Sequence, residues 1–314
     1  MRILFVGTPD IALPSLRLLN DRFDVCGVLT SPDKPSGRGR RLVAPPVKVL
    51  AESLGLTVLQ PTKLGKEFRE TVRGLDPELM TVVAYSRIFG PKFLSLFGRG
   101  SINLHPSLLP KHRGPSPIPA AILAGDAVTA ITIQRVGLEM DAGNILCQEE
   151  LIIEPGETAG ELSLRIAPLG AQMLADVVGC IEDGRVQETA QDESAVTYCT
   201  LIEKGDGCID WCTSAVEIER MVRAYNPWPV AYTTLAGSKL SILKASAYSP
   251  PDAPVECETS GMVVGVDKAR GILIQTNHGM LAVEELQLQS RKVLGWKAFL
   301  NGSPGFVGSA LGGD

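Results

Sequence analysis

Two of the three histidines in the chain stand within one short stretch, residues 102–114, which reads INLHPSLLPKHRG. Asn103 precedes His105 by two positions, so in an extended strand the two side chains point to the same side. An asparagine amide can donate a hydrogen bond to a carbonyl oxygen that is becoming an oxyanion. A neutral imidazole can accept a proton from an attacking amine, and an imidazolium can donate one. The pair therefore carries groups suited to amine attack on a carbonyl, although its spacing is also typical of a turn or a cap.

An imidazole that moves protons needs a partner that fixes its orientation, and a carboxylate commonly does this. Asp141, in an Asp-Ala-Gly turn after the next apolar run, is the best candidate. An aspartate in such a position is also common as a plain turn residue, so both interpretations stay open. His112 reads as a solvated loop residue and His278 as the turn residue of a hairpin.

The elements around these residues decide where they lie. Strands are predicted at residues 2–7, 24–30, 56–60, 79–85 and 101–105, and helices at residues 11–21, 45–55 and 66–75. This alternation predicts an α/β fold with a doubly wound, Rossmann-like, mostly parallel sheet. Ligands of such sheets bind beyond the carboxyl ends of the strands, where Tyr85, Asn103 and His105 fall.

The rest of the chain separates into two further parts. Strands at 127–136 and 144–153 are predicted to extend the sheet in antiparallel fashion, and a long helix at 158–184 has a possible break at Pro168. After a polar stretch, short strands bounded by Gly, Ser, Pro or Asp predict a small, OB-like β-barrel. The predicted organisation is a catalytic domain at 1–189, a linker at 190–204 and a C-terminal β-barrel domain at 205–314.

The composition is that of an ordinary globular protein, with 45% hydrophobic and 21% charged residues. The formal net charge of −5 does not favour binding of a polyanion by the chain as a whole. Residues 31–50, however, carry five basic residues against one acidic residue, a local balance of +4. Composition alone favours a solvated flexible loop there, and local contact with a nucleic acid is the alternative.

Cysteine usage and hydropathy indicate in which cellular compartment the protein is expected. Seven irregularly spaced cysteines read as reduced thiols. Neither a leader peptide nor a membrane-spanning run is predicted. We therefore expect a cytoplasmic protein without a membrane partner. Cys208 and Cys212 have no second ligand pair nearby, so no metal site is expected.

Several common signatures do not occur in the sequence. The first strand is followed by VGTPD rather than a G-x-G-x-x-G fingerprint, and the glycine-rich SGRGRR lacks the spacing of a P-loop. There is also no H-E-x-x-H and no G-x-S-x-G. Nicotinamide, ATP, zinc-hydrolase and serine-hydrolase functions therefore each lack their usual motif.

The stretch INLHPSLLPKHRG resembles the N-x-H-x-S-L-L-P-x-x-R-G signature of the formyltransferases that use 10-formyltetrahydrofolate. GLEMDAGNIL is similar to the segment of that family that carries its aspartate. The basic stretch at 31–56, the segment at 205–233 with its Asn-Pro-Trp-Pro, and FLNG at 299–302 resemble the branch that formylates aminoacylated tRNA. The likeness extends over essentially the whole chain.

The resemblance implies specific roles. It implies catalytic roles for Asn103, His105 and Asp141. It implies contact with 10-formyltetrahydrofolate, as co-substrate, by Tyr85, Ser107, Leu108, Leu109 and Pro110. It implies contact with methionyl initiator tRNA by Lys34, Arg38, Arg40 and Arg41. A monomer is expected.

The sequence departs from the family pattern at a few positions, and rival functions stay open. Ile11, Ser86 and Pro119 stand where the family usually has other residues, which puts the local pocket in doubt and leaves the three catalytic candidates untouched. A sugar-nucleotide formyltransferase would not need the basic stretch. A catalytically silent tRNA-binding protein would not need Asn103, His105 and Asp141 together.

Overall fold

The computed structural model describes residues 1–36, 41–248 and 260–312. Contacts within the chain divide it into two compact units. The first unit comprises Met1–Pro117, Val128–Ile152 and Ser163–Thr200. The second comprises Ile118–Ala127, Ile153–Leu162 and Leu201–Asp314. The domain boundary expected at 190–204 stays a prediction.

Nine strands and six helices lie in the part of the chain up to residue 182 that the structure describes. The strands are β1 (Arg2–Gly7), β2 (Asp24–Leu29), β3 (Lys34–Ser36), β4 (Arg41–Val43), β5 (Val58–Leu59), β6 (Leu79–Val83), β7 (Ser101–His105), β8 (Val128–Arg135) and β9 (Ile145–Ile152). The helices are α1 (Leu13–Arg22), α2 (Pro46–Ser53), α3 (Lys66–Gly74), α4 (Pro91–Leu94), α5 (Pro117–Ala124) and α6 (Ala159–Glu182).

Seven of these strands form one sheet in the order β5-β2-β1-β6-β7-β8-β9. The strands from β5 to β7 are parallel, and β8 and β9 continue the sheet in antiparallel fashion. The predicted doubly wound α/β sheet with an antiparallel extension is confirmed. β3 and β4, which pair with each other alone among the described strands, form a hairpin that the sequence patterns did not predict.

The central strands are buried on both faces. On one face Leu4, Met80 and Val82 pack with Val72 of α3 and with Phe93 of α4. On the other face Leu104 and Ile131 lie against Gly170 of α6. Because side chains alternate along a strand, the neighbours of Leu104 in β7 point away from α6.

Helix α6 does not break at Pro168, so the predicted interruption was wrong. Proline removes one hydrogen bond inside a helix. The turns on either side remain anchored because Ile166, Ala167, Ala171 and Leu174 are all buried. α6 is long and apolar enough to cross a membrane by length and composition, but 56% of that stretch is buried inside the fold. From Ser163 onward, α6 is a core helix of the first unit.

Beyond residue 200, the described part of the second unit holds the remaining strands and two further α-helices. They are α7 (Ala215–Ala224), β10 (Tyr232–Leu235), β11 (Ser238–Tyr248), β12 (Val263–Asp267), β13 (Gly271–Gln275), β14 (Met280–Leu288), β15 (Leu294–Gly295) and α8 (Trp296–Asn301). The strands form an antiparallel sheet in the order β10-β11-β14-β13-β12, with β15 on β14. Register shifts in two strand pairs curl it into part of a barrel around a core that includes Trp211, Ile242 and Phe299.

The close approach of α6 to the sheet generates a stability prediction. A Cβ atom at Gly170 would lie 2.6 Å from Leu104 Cδ1, whereas a Cβ at Gly179 in the same helix would meet nothing within 4 Å. Gly170→Val should lower the free energy of unfolding by about 2 kcal/mol through overpacking. Gly179→Val should change it by less than about 0.5 kcal/mol. Urea unfolding of both variants tests this, and equal effects would contradict the packing described.

Candidate active site

Asn103 and His105 occupy the carboxyl end of β7, at the edge where the parallel part of the sheet meets its antiparallel extension. The two residues lie side by side with Gln134 and Thr132 of β8. The Asn103 side chain is half-buried, and within the described ranges its amide has no hydrogen-bond partner. That amide therefore has both N–H groups available to a ligand.

His105 is only 4% exposed. Its Nε2 lies 3.0 Å from the carbonyl oxygen of His112. A carbonyl can only accept, so Nε2 carries the hydrogen. Burial lowers the pKa of His105, and the nearby Asp141 carboxylate opposes that shift in part. At neutral pH the imidazole is uncharged, and its basic lone pair is on Nδ1.

Asp141 faces that basic nitrogen. The distance from His105 Nδ1 to Asp141 Oδ2 is 3.7 Å. Oδ2 also accepts a hydrogen bond from the backbone N–H of Gly114 at 2.9 Å, and Oδ1 accepts one from Gln134 Nε2 at 2.9 Å. A proton taken up by Nδ1 would therefore lie between the imidazole and a carboxylate that is already held on both oxygens.

The loop after β7 folds back over the sheet edge. The Ser107 hydroxyl donates to the carbonyl of Lys111 at 2.7 Å, and the Ser107 carbonyl accepts from Thr132 Oγ1 at 2.7 Å. Gln148 Nε2 donates to the Leu109 carbonyl at 3.0 Å. These bonds bury the side chains of Ser107 and Leu109.

The four residues of this loop that are predicted to contact the folate, residues 107–110, are therefore of two kinds. Leu108 and Pro110 are half-buried and have side-chain surface available to a ligand, while Ser107 and Leu109 hold the loop in shape.

Tyr85 lies shortly after β6, and its ring belongs to a row of stacked aromatic rings. Its ring stacks on Phe89 at 5.7 Å between centroids, and Phe89 stacks on Phe93 at 5.4 Å. The Tyr85 hydroxyl is buried without a hydrogen-bond partner in the part of the chain that the structure describes, and burial raises the pKa of Tyr85. No hydrogen bond joins it to Asn103, His105 or Asp141 among those same residues.

Two of the four predicted basic residues lie on the hairpin. Lys34 is exposed on β3 and Arg41 lies on β4, whereas Arg38 and Arg40 fall outside the described residues. The base of the hairpin is held by Asp33, whose oxygens lie 3.0 and 2.8 Å from Lys48 Nζ. These hydrogen bonds lower the pKa of Asp33 and raise the pKa of Lys48. Lys48 therefore contributes to the anchoring of the hairpin.

The sequence patterns missed a contribution from residues 186–200, which we term the return segment. Thr189 pairs with Ile145 through two backbone hydrogen bonds of 2.8 and 2.9 Å. Farther along, the backbone N–H of His112 donates to Thr197 Oγ1 at 2.9 Å, and the Arg113 N–H donates to the Thr197 carbonyl at 2.9 Å. The return segment therefore holds the loop that carries His112. Its polar sequence gave no signal of this.

Among the residues whose burial the structure describes, Arg113 is the largest side chain that is fully buried, with 1% exposure. Its guanidinium donates to Gln191 and Glu193 of the return segment.

The sequence patterns also missed Gln134, which binds Asp141. A glutamine inside an apolar run is unusual, and this could have identified Gln134 from the sequence. In the structure this residue is only 1% exposed.

The buried state of His105 predicts how stability depends on pH. In the unfolded chain the His105 imidazole takes up a proton near pH 6.5. In the folded protein the pKa of His105 is lowered, so the imidazole takes up that proton only at lower pH. The free energy of unfolding should therefore fall as pH drops below about 6.5, by up to about 1.4 kcal/mol per pH unit from this residue. His105→Asn should remove that part of the slope. Urea unfolding between pH 5.5 and 7.5 measures it, and identical slopes would contradict the assignment.

Comparison with known proteins found family matches in both parts of the chain. The family described as Formyl transferase matches residues 1–178, and the family described as Formyl transferase, C-terminal domain, matches residues 201–304. The chain is 44% identical to the methionyl-tRNA formyltransferase of Treponema denticola over 318 residues, which cover 98% of each chain.

Two solved structures share the fold. The N-formyltransferase of Helicobacter canadensis, in complex with folinic acid and dTDP-3-aminofucose, matches with a TM-score of 0.64 and 18% identity over 90% of this chain and 97% of that one. The methionyl-tRNA formyltransferase of Clostridium thermocellum matches with a TM-score of 0.56 and 18% identity over 78% of this chain and 93% of that one. With its two matched segments and a relative at this level of identity along nearly its whole length, the chain belongs to the formyl transferase family.

Proposed function

We propose that this protein transfers the formyl group of 10-formyltetrahydrofolate to the free amino group of methionyl initiator tRNA. The observation that carries the proposal is the geometry at the end of β7 in a chain of this family. The Asn103 amide, which has no hydrogen-bond partner among the described residues, lies beside a buried, neutral His105 whose basic nitrogen faces Asp141 at 3.7 Å. The name of the Treponema denticola relative supports the choice of acceptor.

The proposed reaction needs an oxyanion donor and a proton carrier. The amino nitrogen of the acceptor forms a bond to the formyl carbon, and the carbonyl oxygen becomes negative. The Asn103 amide donates to that oxygen. His105 takes up the proton lost by the amine at Nδ1, where the Asp141 carboxylate stabilises the imidazolium. The oxyanion then reforms the carbonyl as the bond from the formyl carbon to N10 of the folate breaks, and N10 leaves with the proton that His105 had taken up.

The folate would lie against the loop after β7. Leu108 and Pro110 offer the half-exposed apolar surface, while Ser107 and Leu109 keep the loop in place through their carbonyl oxygens. Tyr85 offers a hydroxyl without a partner in the described residues. None of these groups needs a metal, and the described residues hold no cluster of three or more metal-ligating side chains.

The basic hairpin would contact the phosphates of the tRNA. Lys34 and Arg41 belong to strands β3 and β4, and Arg38 and Arg40 complete the set in the sequence between them. Phosphate contacts of this kind give an affinity that falls with salt concentration. Because a tRNA partner would be met in the cytoplasm, we propose that the protein acts there, as a monomer.

A sugar nucleotide is the rival acceptor, because the Helicobacter canadensis structure is a complex with dTDP-3-aminofucose. The low identity of that match limits it to a likeness of fold. Transfer of a labelled formyl group to charged initiator tRNA, with an amino sugar nucleotide as the competing acceptor, tests the proposal. Label on the sugar nucleotide alone would overturn it.

The role of Asn103 yields a kinetic prediction. Asn103→Ala should lower kcat on the order of 10²- to 10³-fold, because one oxyanion donor is lost. The Kd for the folate, measured by titration, should stay within about twofold of the wild-type value, because the Asn103 donor stabilises the transition state rather than the bound folate. A kcat near that of the wild type would remove Asn103 from the mechanism.

The basic hairpin yields a binding prediction. Arg38→Ala should raise KM for the tRNA and reduce the salt dependence of binding by about one phosphate contact, with folate binding unchanged. Arg17→Ala, which removes an exposed charge on α1, is the matched control and should leave both unchanged. Equal loss of tRNA and folate binding in Arg38→Ala would contradict a tRNA-specific role.

A further inference from the structure

We infer that Gln191 of the return segment is a positioning residue for the Asp141 carboxylate, and that the buried Arg113 fixes the direction of the Gln191 amide. The return segment falls between the two parts of the chain that match the family, residues 1–178 and 201–304. The inference deepens the proposed function, since its kinetic consequence rests on formyl transfer, while its geometric part can be tested without any activity.

The Gln191 amide has only one possible orientation. Its Oε1 accepts from Arg113 Nε at 3.0 Å and from Arg113 Nη2 at 2.9 Å. A guanidinium offers donors and no acceptor, so the oxygen of the amide must face it. The Nε2 group of Gln191 therefore points away from Arg113.

On that other side, Gln191 Nε2 meets the turn that carries Asp141. It donates to the carbonyl oxygens of Asp141 at 2.8 Å and Gly143 at 2.7 Å. It also lies 3.3 Å from Oε1 of Gln134, whose own Nε2 donates to Asp141 Oδ1 at 2.9 Å. A single amide group thus holds both the backbone of the turn and the side chain that holds the carboxylate.

The turn needs such support because its conformation is unfavourable. Asp141 has a φ of +52°, in the left-handed region that residues other than glycine rarely adopt. At Gly143, a Cβ atom would lie 1.9 Å from the carbonyl oxygen of Arg135. A backbone of this kind persists only where its surroundings impose it. Without the two hydrogen bonds from Gln191, the turn would relax and Asp141 would move from its place beside His105.

The competing explanation is that Gln191 merely satisfies the buried guanidinium. Glu193 offers a comparison, because it also binds Arg113, with Nη2 2.7 Å from Oε1, but makes no hydrogen bond to the Asp141 turn among the described residues. Its side chain is 70% exposed. Both Gln191 and Glu193 bind Arg113, but only Gln191 also reaches the turn among the described residues.

Three variants separate the two explanations. Gln191→Glu keeps an acceptor for Arg113 and replaces the donor to the turn by a second acceptor. Gln191→Ala removes both contacts. Glu193→Gln is the matched control, which keeps an acceptor for Arg113 and leaves the turn untouched. Each variant is made in the full chain, and its melting temperature is measured beside its kinetics.

We expect kcat to fall about 10- to 100-fold in Gln191→Glu and Gln191→Ala, because a misplaced catalytic group costs that much. KM for both substrates should stay within about twofold, and the melting temperature of Gln191→Glu should stay near that of the wild type. Glu193→Gln should keep the kcat of the wild type within about twofold.

The second measurement follows the His105 imidazole by NMR titration, which three histidines in the whole chain make tractable. In Gln191→Ala the pKa of His105 should fall further, because the Asp141 charge moves away, while Glu193→Gln leaves it in place. Wild-type kcat in Gln191→Glu together with an unmoved His105 pKa in Gln191→Ala would overturn the inference. If the wild-type protein formylates no tRNA, the proposed function fails, and the His105 titration alone decides the positioning role.

Discussion

A buried imidazole can serve as a base only while a negative charge stays close enough to stabilise the proton that it takes up. In the mechanism that we propose, that condition rests on the 3.7 Å between His105 Nδ1 and Asp141 Oδ2. The two residues belong to different structures, a central strand and a turn between two antiparallel strands. The sheet fixes the first and cannot by itself fix the second, so the loop after β7, the Gln134 side chain and the return segment all bear on the same distance.

Three polar side chains around the loop after β7 hold its backbone, and this leaves few polar groups there for a ligand. The Ser107 hydroxyl, the Thr132 hydroxyl and the Gln148 amide are all used to shape the loop after β7. The Asn103 amide and the Tyr85 hydroxyl have no such use within the described residues. A similar division exists at the hairpin, where Lys48 is bound to Asp33 while Lys34 is exposed.

Sequence patterns predicted the elements that depend on apolar periodicity. The strands of the first sheet were predicted from short apolar runs that alternate with helical stretches. The shared direction of Asn103 and His105 follows from the alternation of side chains along β7. The helix α6 was predicted from its long apolar stretch. The break at Pro168 was wrong because burial on both sides of the proline outweighs one lost hydrogen bond. The β3–β4 hairpin was missed because its strands are three residues long and exposed in part. Gln191 was missed because a polar residue in a polar stretch carries no periodic signal, and its partners are distant in sequence.

That distance has a consequence for the order in which the site is made. Gln191 follows Asp141 by 50 residues, and Thr197 follows His112 by 85. A chain emerging from the ribosome therefore presents Asn103, His105 and Asp141 long before the residues that hold their loops have been synthesised. The three candidate catalytic residues are therefore synthesised early. They take their final geometry late, once α6 has been added and the return segment has bound the loops that hold them.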